Sequence, residues 1–238
     1  MLSQKLALRI LPLFLCGSLR LVCWAQQPSA NEILKRVSET YRGLQNYRFV
    51  AQEISQVGSH SSISRIALSV ANPGKIRLEV KDEDHTLLIV SDGKTKWTYL
   101  PGRKQYTVEV GSGDEVVSAG GRKSVLPVYR SWFERFRNVS DDSATAVLES
   151  EDRLKVGTNV IACYVVKIPR QDGSVDELWT DEDRYIVWRS RHVSASVGEG
   201  TLPTITVNVL DAKLNTELGK SIFHFDPPDN TKRVRSFE

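Results

Sequence analysis

Between residues 73 and 110 the chain alternates apolar and polar positions with a period of two. Ile76, Leu78 and Val80 alternate with Arg77, Glu79 and Lys81, and Tyr106, Val108 and Val110 alternate with Thr107 and Glu109. Between these runs lie Leu87-Leu88-Ile89-Val90 and Lys96-Trp97-Thr98-Tyr99-Leu100, separated by Asp92-Gly93 and followed by Pro101-Gly102. Four strand-like runs punctuated by turn residues predict a meander in which each strand has one apolar and one polar face. Such an antiparallel sheet keeps one side in water.

Upstream the period changes. Ser29 and Glu32 form a capping-box pair, and Ile33, Leu34, Val37, Tyr41 and Leu44 then fall on one helical stripe, so an amphipathic helix opens this part of the chain. Tyr47 to Gln56 and Ser62 to Asn72 read as strands joined by a turn at Gly58. Pro127 starts a second helix whose Val128, Tyr129, Trp132, Phe133 and Phe136 share a face. Further strands are predicted at 144–150, 160–169, 175–180, 186–196, 204–214 and 221–226, with Asp172-Gly173 a second hairpin turn. Roughly ten to eleven strands with two helices do not alternate as a parallel α/β fold requires. The expected class is mainly β (α+β): a strongly curved antiparallel half-barrel with helices plugging its concave face. A β-sandwich is the second architecture compatible with the spacing.

The first residues change the compartment. Lys5 and Arg9 precede an apolar run of about ten residues, half of what a membrane span needs, and Cys23-Trp24-Ala25 supplies small residues for cleavage. Residues 1–25 therefore read as a signal peptide cut near Ala25, with an uncleaved anchor as the alternative, and 26–238 as a single domain. The expected location is the periplasm. Neither Cys16 nor Cys23 follows the small residue that lipid attachment requires, since Leu15 and Val22 precede them. Removal of the leader takes away Lys5, Arg9 and Arg20, bringing 32 basic against 29 acidic residues to 29 against 29. A neutral chain with interspersed signs gives no footprint for nucleic acid. Only Cys163 remains, flanked by Ile161, Ala162, Tyr164 and Val165, so no internal disulfide forms and the thiol reads as a small buried hydrophobe.

Catalytic and metal chemistry finds little support. His60, His85, His192 and His224 lie far apart in sequence and outside any metal-ligand spacing. No nucleophile elbow or phosphate-binding loop is present. Asp82-Glu83-Asp84 and Asp181-Glu182-Asp183 sit at strand junctions without calcium-loop spacing, and read as solvated turns. Asn138-Val139-Ser140 matches a glycosylation sequon. No catalytic residue, no metal site and no cofactor are expected. What does stand out is the set of large apolar side chains Trp97, Tyr99, Trp132, Phe133, Phe136, Trp179, Trp188, Phe223 and Phe225. Singly each reads as core; together they suit a sheet too curved to be filled by its own side chains, leaving an apolar cavity.

The chain resembles the LolA-type carriers of outer-membrane lipoproteins and the wider LolA/LolB-like superfamily. The resemblance rests on Asn31-Glu-Ile-Leu to Tyr41-x-x-Leu44, on Asn72-Pro73-Gly74-Lys75-Ile76-Arg77, on Val90-Ser91-Asp92-Gly93-Lys94 with Trp97-x-Tyr99-x-Pro101, on Leu178-Trp179 with Asp181, and on Phe223-x-Phe225-x-Pro227-Pro228. It covers the whole predicted mature chain. It implies a half-barrel wrapped over helices with acyl chains held between sheet and lid. On that implication Ile76, Leu78, Val80, Leu88, Val90, Trp97 and Tyr99 form the ligand-binding wall, and Trp132, Phe133 and Phe136 the lid. The implied function is a non-catalytic periplasmic carrier of acylated lipoproteins or lipids, a monomer receiving cargo from an inner-membrane donor and passing it to an outer-membrane acceptor. Departures from the carriers are the Arg103-Lys104 turn, the glycine-containing stretch 111–122 and the segment 141–157. The alternatives are an envelope-stress sensor binding lipoproteins, and an envelope enzyme with a carboxylate site.

Overall fold

The computed structural model describes residues 27–71, 74–111, 135–195 and 202–237. Helix α1, Ala30–Arg42, begins at the capping box: the Ser29 hydroxyl accepts from the Glu32 amide at 3.3 Å, and the Glu32 carboxylate accepts from the Ser29 amide at 2.8 Å. Its buried residues are Ala30, Ile33, Leu34, Val37, Ser38 and Tyr41, the stripe that the helical period selects.

Twelve strands follow in one sheet: β1 Asn46–Val57, β2 His60–Ala71, β3 Lys75–Lys81, β4 Thr86–Asp92, β5 Thr95–Leu100, β6 Gln105–Val110, β7 Val147–Val156, β8 Asn159–Pro169, β9 Val175–Asp181, β10 Val187–Val193, β11 Thr204–Leu214 and β12 Lys232–Arg233. Their order is β12-β6-β5-β4-β3-β2-β1-β11-β10-β9-β8-β7. Every pairing is antiparallel except that of β12, which lies parallel to β6. The sheet is curved and open, which decides for the half-barrel over the sandwich. Register shifts at Val50/Ala51, Leu148/Ser150 and Val187/Arg189 insert the bulges that bend such a sheet. Gly58, Gly93 and Gly173 take positive φ at the hairpin turns, where a side chain is disfavoured.

The inner face carries one buried cluster that joins Ile33, Leu34, Val37 and Tyr41 of α1 to Tyr47, Phe49, Ile66, Leu68, Ile76, Leu78 and Ile89 on one side and to Val166, Ile168, Leu178, Val187 and Trp188 on the other. Of the second helix only residues 135–137 are described, running into a 3-10 segment Val139–Thr145. Trp132, Phe133, the Pro127 helix start, the leader and the glycine-containing stretch from 112 onward lie outside the described residues.

Two strand expectations are corrected. Segment 221–226 is a 3-10 turn, Lys220–Phe223, followed by irregular chain that crosses the outer face. The alternation of Phe223 and Phe225 reflects packing on that face without a ladder. The seventh strand starts later than the sequence suggests and continues to Val156.

Two stability outcomes follow. Ser29→Ala removes the hydroxyl that accepts from the Glu32 amide while leaving the Ser29 amide bond to the Glu32 carboxylate, and is expected to lower unfolding free energy by about 1 kcal/mol in urea titration. Phe225→Ala, which empties a site packed on Trp97, Tyr99 and Tyr106, is expected to cost about 3–5 kcal/mol; a loss under about 1 kcal/mol would show that the outer layer is not structural.

Candidate functional site

Strand register sorts the candidate wall residues onto two faces. Leu78 stands opposite Leu68 on β2 and Ile89 on β4, Ile76 opposite Val70 and Ser91, and Val80 opposite Ile66 and Leu87. These side chains share the inner face with α1, and Leu68, Leu78 and Ile89 are almost wholly buried. Leu88 and Val90 stand one residue out of phase, opposite Glu79 and Arg77, and pair with Tyr99 and Trp97. A one-residue step reverses the face, so Leu88, Val90, Trp97 and Tyr99 belong to the outer side. The expectation of a single shared wall is corrected accordingly. Phe225 covers the outer set with ring centroids 5.5 Å from Tyr99 and 6.4 Å from Trp97, and Arg77 donates to the Ile222 carbonyl at 3.5 Å beside it.

On the inner face of β5 and β6 the wall turns polar. Lys96 and Glu109 are cross-strand partners, with Nζ 2.8 Å from the carboxylate and the lysine 2% exposed. Thr98 and Thr107 stand opposite each other on the same face. The hydrocarbon part of the wall therefore spans β1 to β4.

The helical side is built from α1 and the Phe136 segment. Phe136 is fully buried with its ring 5.1 Å from that of Tyr41. The Tyr41 hydroxyl accepts from the Val187 amide at 3.2 Å, and burial pushes its pKa far above the usual tyrosine range. The Ser140 amide donates to the Ser38 hydroxyl at 3.0 Å, fastening the segment to α1. Beneath it a small cleft with a cavity volume of about 10 Å³, room for about one water molecule, is lined by Arg135, Phe136, Val139, Ile168, Arg170, Asp176 and Leu178. That is smaller than the roughly 300–1,000 Å³ of ordinary ligand pockets.

An ionic cluster absent from the sequence expectations occupies this flank. Asp176 points inward from β9 and is 5% exposed. Arg170 donates through Nε and Nη2 to one carboxylate oxygen at 2.9 and 2.7 Å, and His192 Nδ1 lies 2.9 Å from the other, with Arg135 Nη1 at 3.8 Å. Burial pushes the Asp176 carboxyl up, but the Arg135 charge and the hydrogen bonds from His192 and Arg170 outweigh it and hold the group below the usual carboxylate range. The signal was present in the alternation: Asp176, Leu178 and Thr180 take the inward phase of β9.

The other singled-out groups have structural roles. Asp181 is buried and accepts from the amides of Asp183 and Arg184, each at 2.8 Å, and from the Trp188 indole at 3.2 Å, so this acidic triplet is a turn with one inward carboxylate and not a fully solvated run. Asp82 accepts from the amides of Asp84 and His85. Cys163 is buried, and loss of solvent is the main cause pushing its thiol up to about 12. Among the described residues no group of three or more His, Cys, Asp or Glu is placed to hold a metal ion.

A family model described as "Predicted periplasmic protein (DUF2092)" matches residues 30–236. The chain belongs to this family. This DUF2092 chain is accordingly periplasmic. It is 23% identical over 231 residues to an uncharacterized protein of Methanocaldococcus jannaschii, covering 95% of its own length and 60% of that relative. The chain thus spans 60% of the curated relative it matches. Among solved structures it is similar to the MucA/MucB complex of Pseudomonas aeruginosa, with 14% identity, a TM-score of 0.46, and coverage of 83% of this chain and 61% of that one. It is also similar to a LolA superfamily protein of Nitrosomonas europaea, with 11% identity, a TM-score of 0.34, and coverage of 84% and 99%. LolA-like proteins are the group that its sequence motifs resemble.

Because the folded-state pKa of Asp176 is depressed, its contribution to stability is complete above the ordinary carboxylate value near ~4 and is lost as pH falls through the lower folded value. Asp176→Asn is expected to cost about 2 kcal/mol at pH 7, since it leaves the half-buried guanidinium charges of Arg170 and Arg135 without their counter-ion, and to flatten the acid limb of the stability curve. Urea midpoints measured from pH 7 down to pH 3 check both effects. Acid limbs of equal steepness in the two proteins would contradict the assignment.

Proposed function

We propose that this DUF2092 chain is a non-catalytic periplasmic binding domain, spanning 26–238, that holds the acyl chains of lipoproteins or lipids against its inner wall. The observation that carries the reading is the hydrocarbon surface of β1 to β4, namely Phe49, Ile66, Leu68, Ile76, Leu78 and Ile89, faced by helical elements instead of a second sheet. Val80 extends that surface as a partly buried residue packed against the cluster. Phe136, together with Trp132 and Phe133 of the same helix in the sequence, supplies the lid. Each buried methylene recovers roughly 0.8 kcal/mol, so one long chain contributes on the order of 10 kcal/mol before ordering costs. Affinity of that size suits a carrier that protects a lipid anchor in water between an inner-membrane donor and an outer-membrane acceptor. Such a carrier has no need of a cofactor. The cleft beneath Phe136 is too small for such a chain, so loading requires the helical side to move.

Protein purified from the envelope and extracted for mass spectrometry is expected to yield acylated ligand in near-stoichiometric amount. Binding of a fluorescent C16 fatty acid is expected to weaken at least tenfold in Val80→Asp on the inner wall, and to change less than twofold in Trp97→Ala on the outer face. Ligand-free protein that also fails to bind the probe would overturn the proposal. A copurifying inner-membrane protein in place of lipid would favour a sensor, and turnover removed by a single acid substitution would favour an enzyme.

A further inference from the structure

The helical elements are fastened to the sheet unevenly. Among the described residues their polar ties to the sheet run to β8, β9, β10 or the turn between the last two: Thr40 Oγ1 donates to the Arg184 carbonyl at 3.1 Å, Arg36 Nη1 to the Tyr185 hydroxyl at 3.1 Å, the Val187 amide to the Tyr41 hydroxyl at 3.2 Å, Thr145 Oγ1 to the Pro169 carbonyl at 3.1 Å, and Arg135 sits beside Asp176. Among the described residues no hydrogen bond or ion pair joins α1 or residues 135–140 to β2, β3, β4, β5 or β6. On that side the link among the described residues is hydrocarbon, through Ile66, Leu68, Ile76, Leu78 and Ile89 in the shared cluster.

The two flanks respond differently to separation. Parting the β9–β10 flank strips partners from the buried Tyr41 hydroxyl and the Asp176 carboxylate, and unpaired buried polar groups are costly. Parting the β2–β4 flank exposes mainly apolar surface, which methylenes of an incoming chain cover again. Water filling that gap would lose what a hydrocarbon ligand restores.

We infer that an acyl chain enters along the seam between the α1–Phe136 elements and the β2–β4 wall, while those elements stay fastened to β9 and β10. This inference rests on the acyl-binding reading and adds the route and the fixed side. The seam takes an unbranched hydrocarbon chain, with Lys96 and Glu109 bounding the apolar wall beyond β4.

The test uses the full mature chain and a C16 fatty acid bearing a diazirine near its methyl end, irradiated and mapped by peptide mass spectrometry. Labelling is expected on β2–β4 around Leu68, Leu78 and Ile89 and on the buried face of α1, reduced at least fivefold by excess palmitate. Asp176→Asn, measured under conditions where it is folded, is expected to leave the labelled positions unchanged and the yield within twofold. Competed labelling confined to Ile168, Leu178 and their neighbours overturns the route while leaving acyl binding intact. A severalfold rise in yield in Asp176→Asn does the same, because it would place the opening side at the ionic flank. Absence of any palmitate-competed label overturns the route together with the binding reading beneath it.

Discussion

Twelve strands spaced about 4.8 Å apart make a sheet on the order of 55 Å wide, whereas the 13 residues of α1 form a rod about 20 Å long and about 10 Å across. A flat sheet of that width would leave most of its apolar inner face in water. Curvature resolves the mismatch by bringing both flanks of the sheet toward the same short helix, so that Leu78 of β3 and Leu178 of β9 enter one buried cluster with Leu34. The bulges at Val50/Ala51 and Val187/Arg189 serve this bending. The inner hydrocarbon surface on which the proposed function depends is a by-product of the same geometry: a curved wall faced by a slender rod.

The outer face follows a different rule. Over most of the sheet it is polar, and charged side chains are held there by cross-strand contacts, as where Arg189 stacks on Trp179 at 5.3 Å and donates to Asn208 at 2.7 Å. Over β4 to β6 it is apolar, and the chain after β11 returns to cover it with Phe223 and Phe225. The meander therefore lies between two layers, with α1 on one side and a C-terminal strap on the other. Of the aromatics that stand out in the sequence, Trp97 and Tyr99 meet Phe225 of that strap.

Much of this was legible in the sequence where local chemistry is decisive. The Ser29–Glu32 pair, the helical stripe and the Gly58, Gly93 and Gly173 turns fixed the opening helix and the hairpins. Facing was legible only where polar residues interrupt the alternation. Ile76, Leu78 and Val80 declare their side because Arg77 and Glu79 oppose them, but Leu87-Leu88-Ile89-Val90 is apolar on both sides, and its phase is set by pairing across the Asp82–His85 turn. Lys96 and Asp176 run against the polar-out rule, and their inward placement depends on Glu109 in one case and on Arg170, Arg135 and His192 in the other, all brought close by tertiary structure. Sequence spacing carries no record of such partners.

The two-residue strand β12 has a consequence for aggregation. With Lys232 and Arg233 set beside Gln105 and Tyr106, the Lys104 and Tyr106 carbonyls at the start of β6 are occupied, and the opposite border, β7, bears Glu149, Glu151, Asp152, Arg153 and Lys155 along a bulged ladder. Both rims are thereby made poor templates for a neighbouring copy, as a crowded extracytoplasmic space demands of a wide β-sheet. Residues 232 and 233 follow every other strand of the sheet, so during N-to-C translocation this part of the β6 rim stays unguarded until all the other strands have emerged, and that interval is when a holding factor would matter.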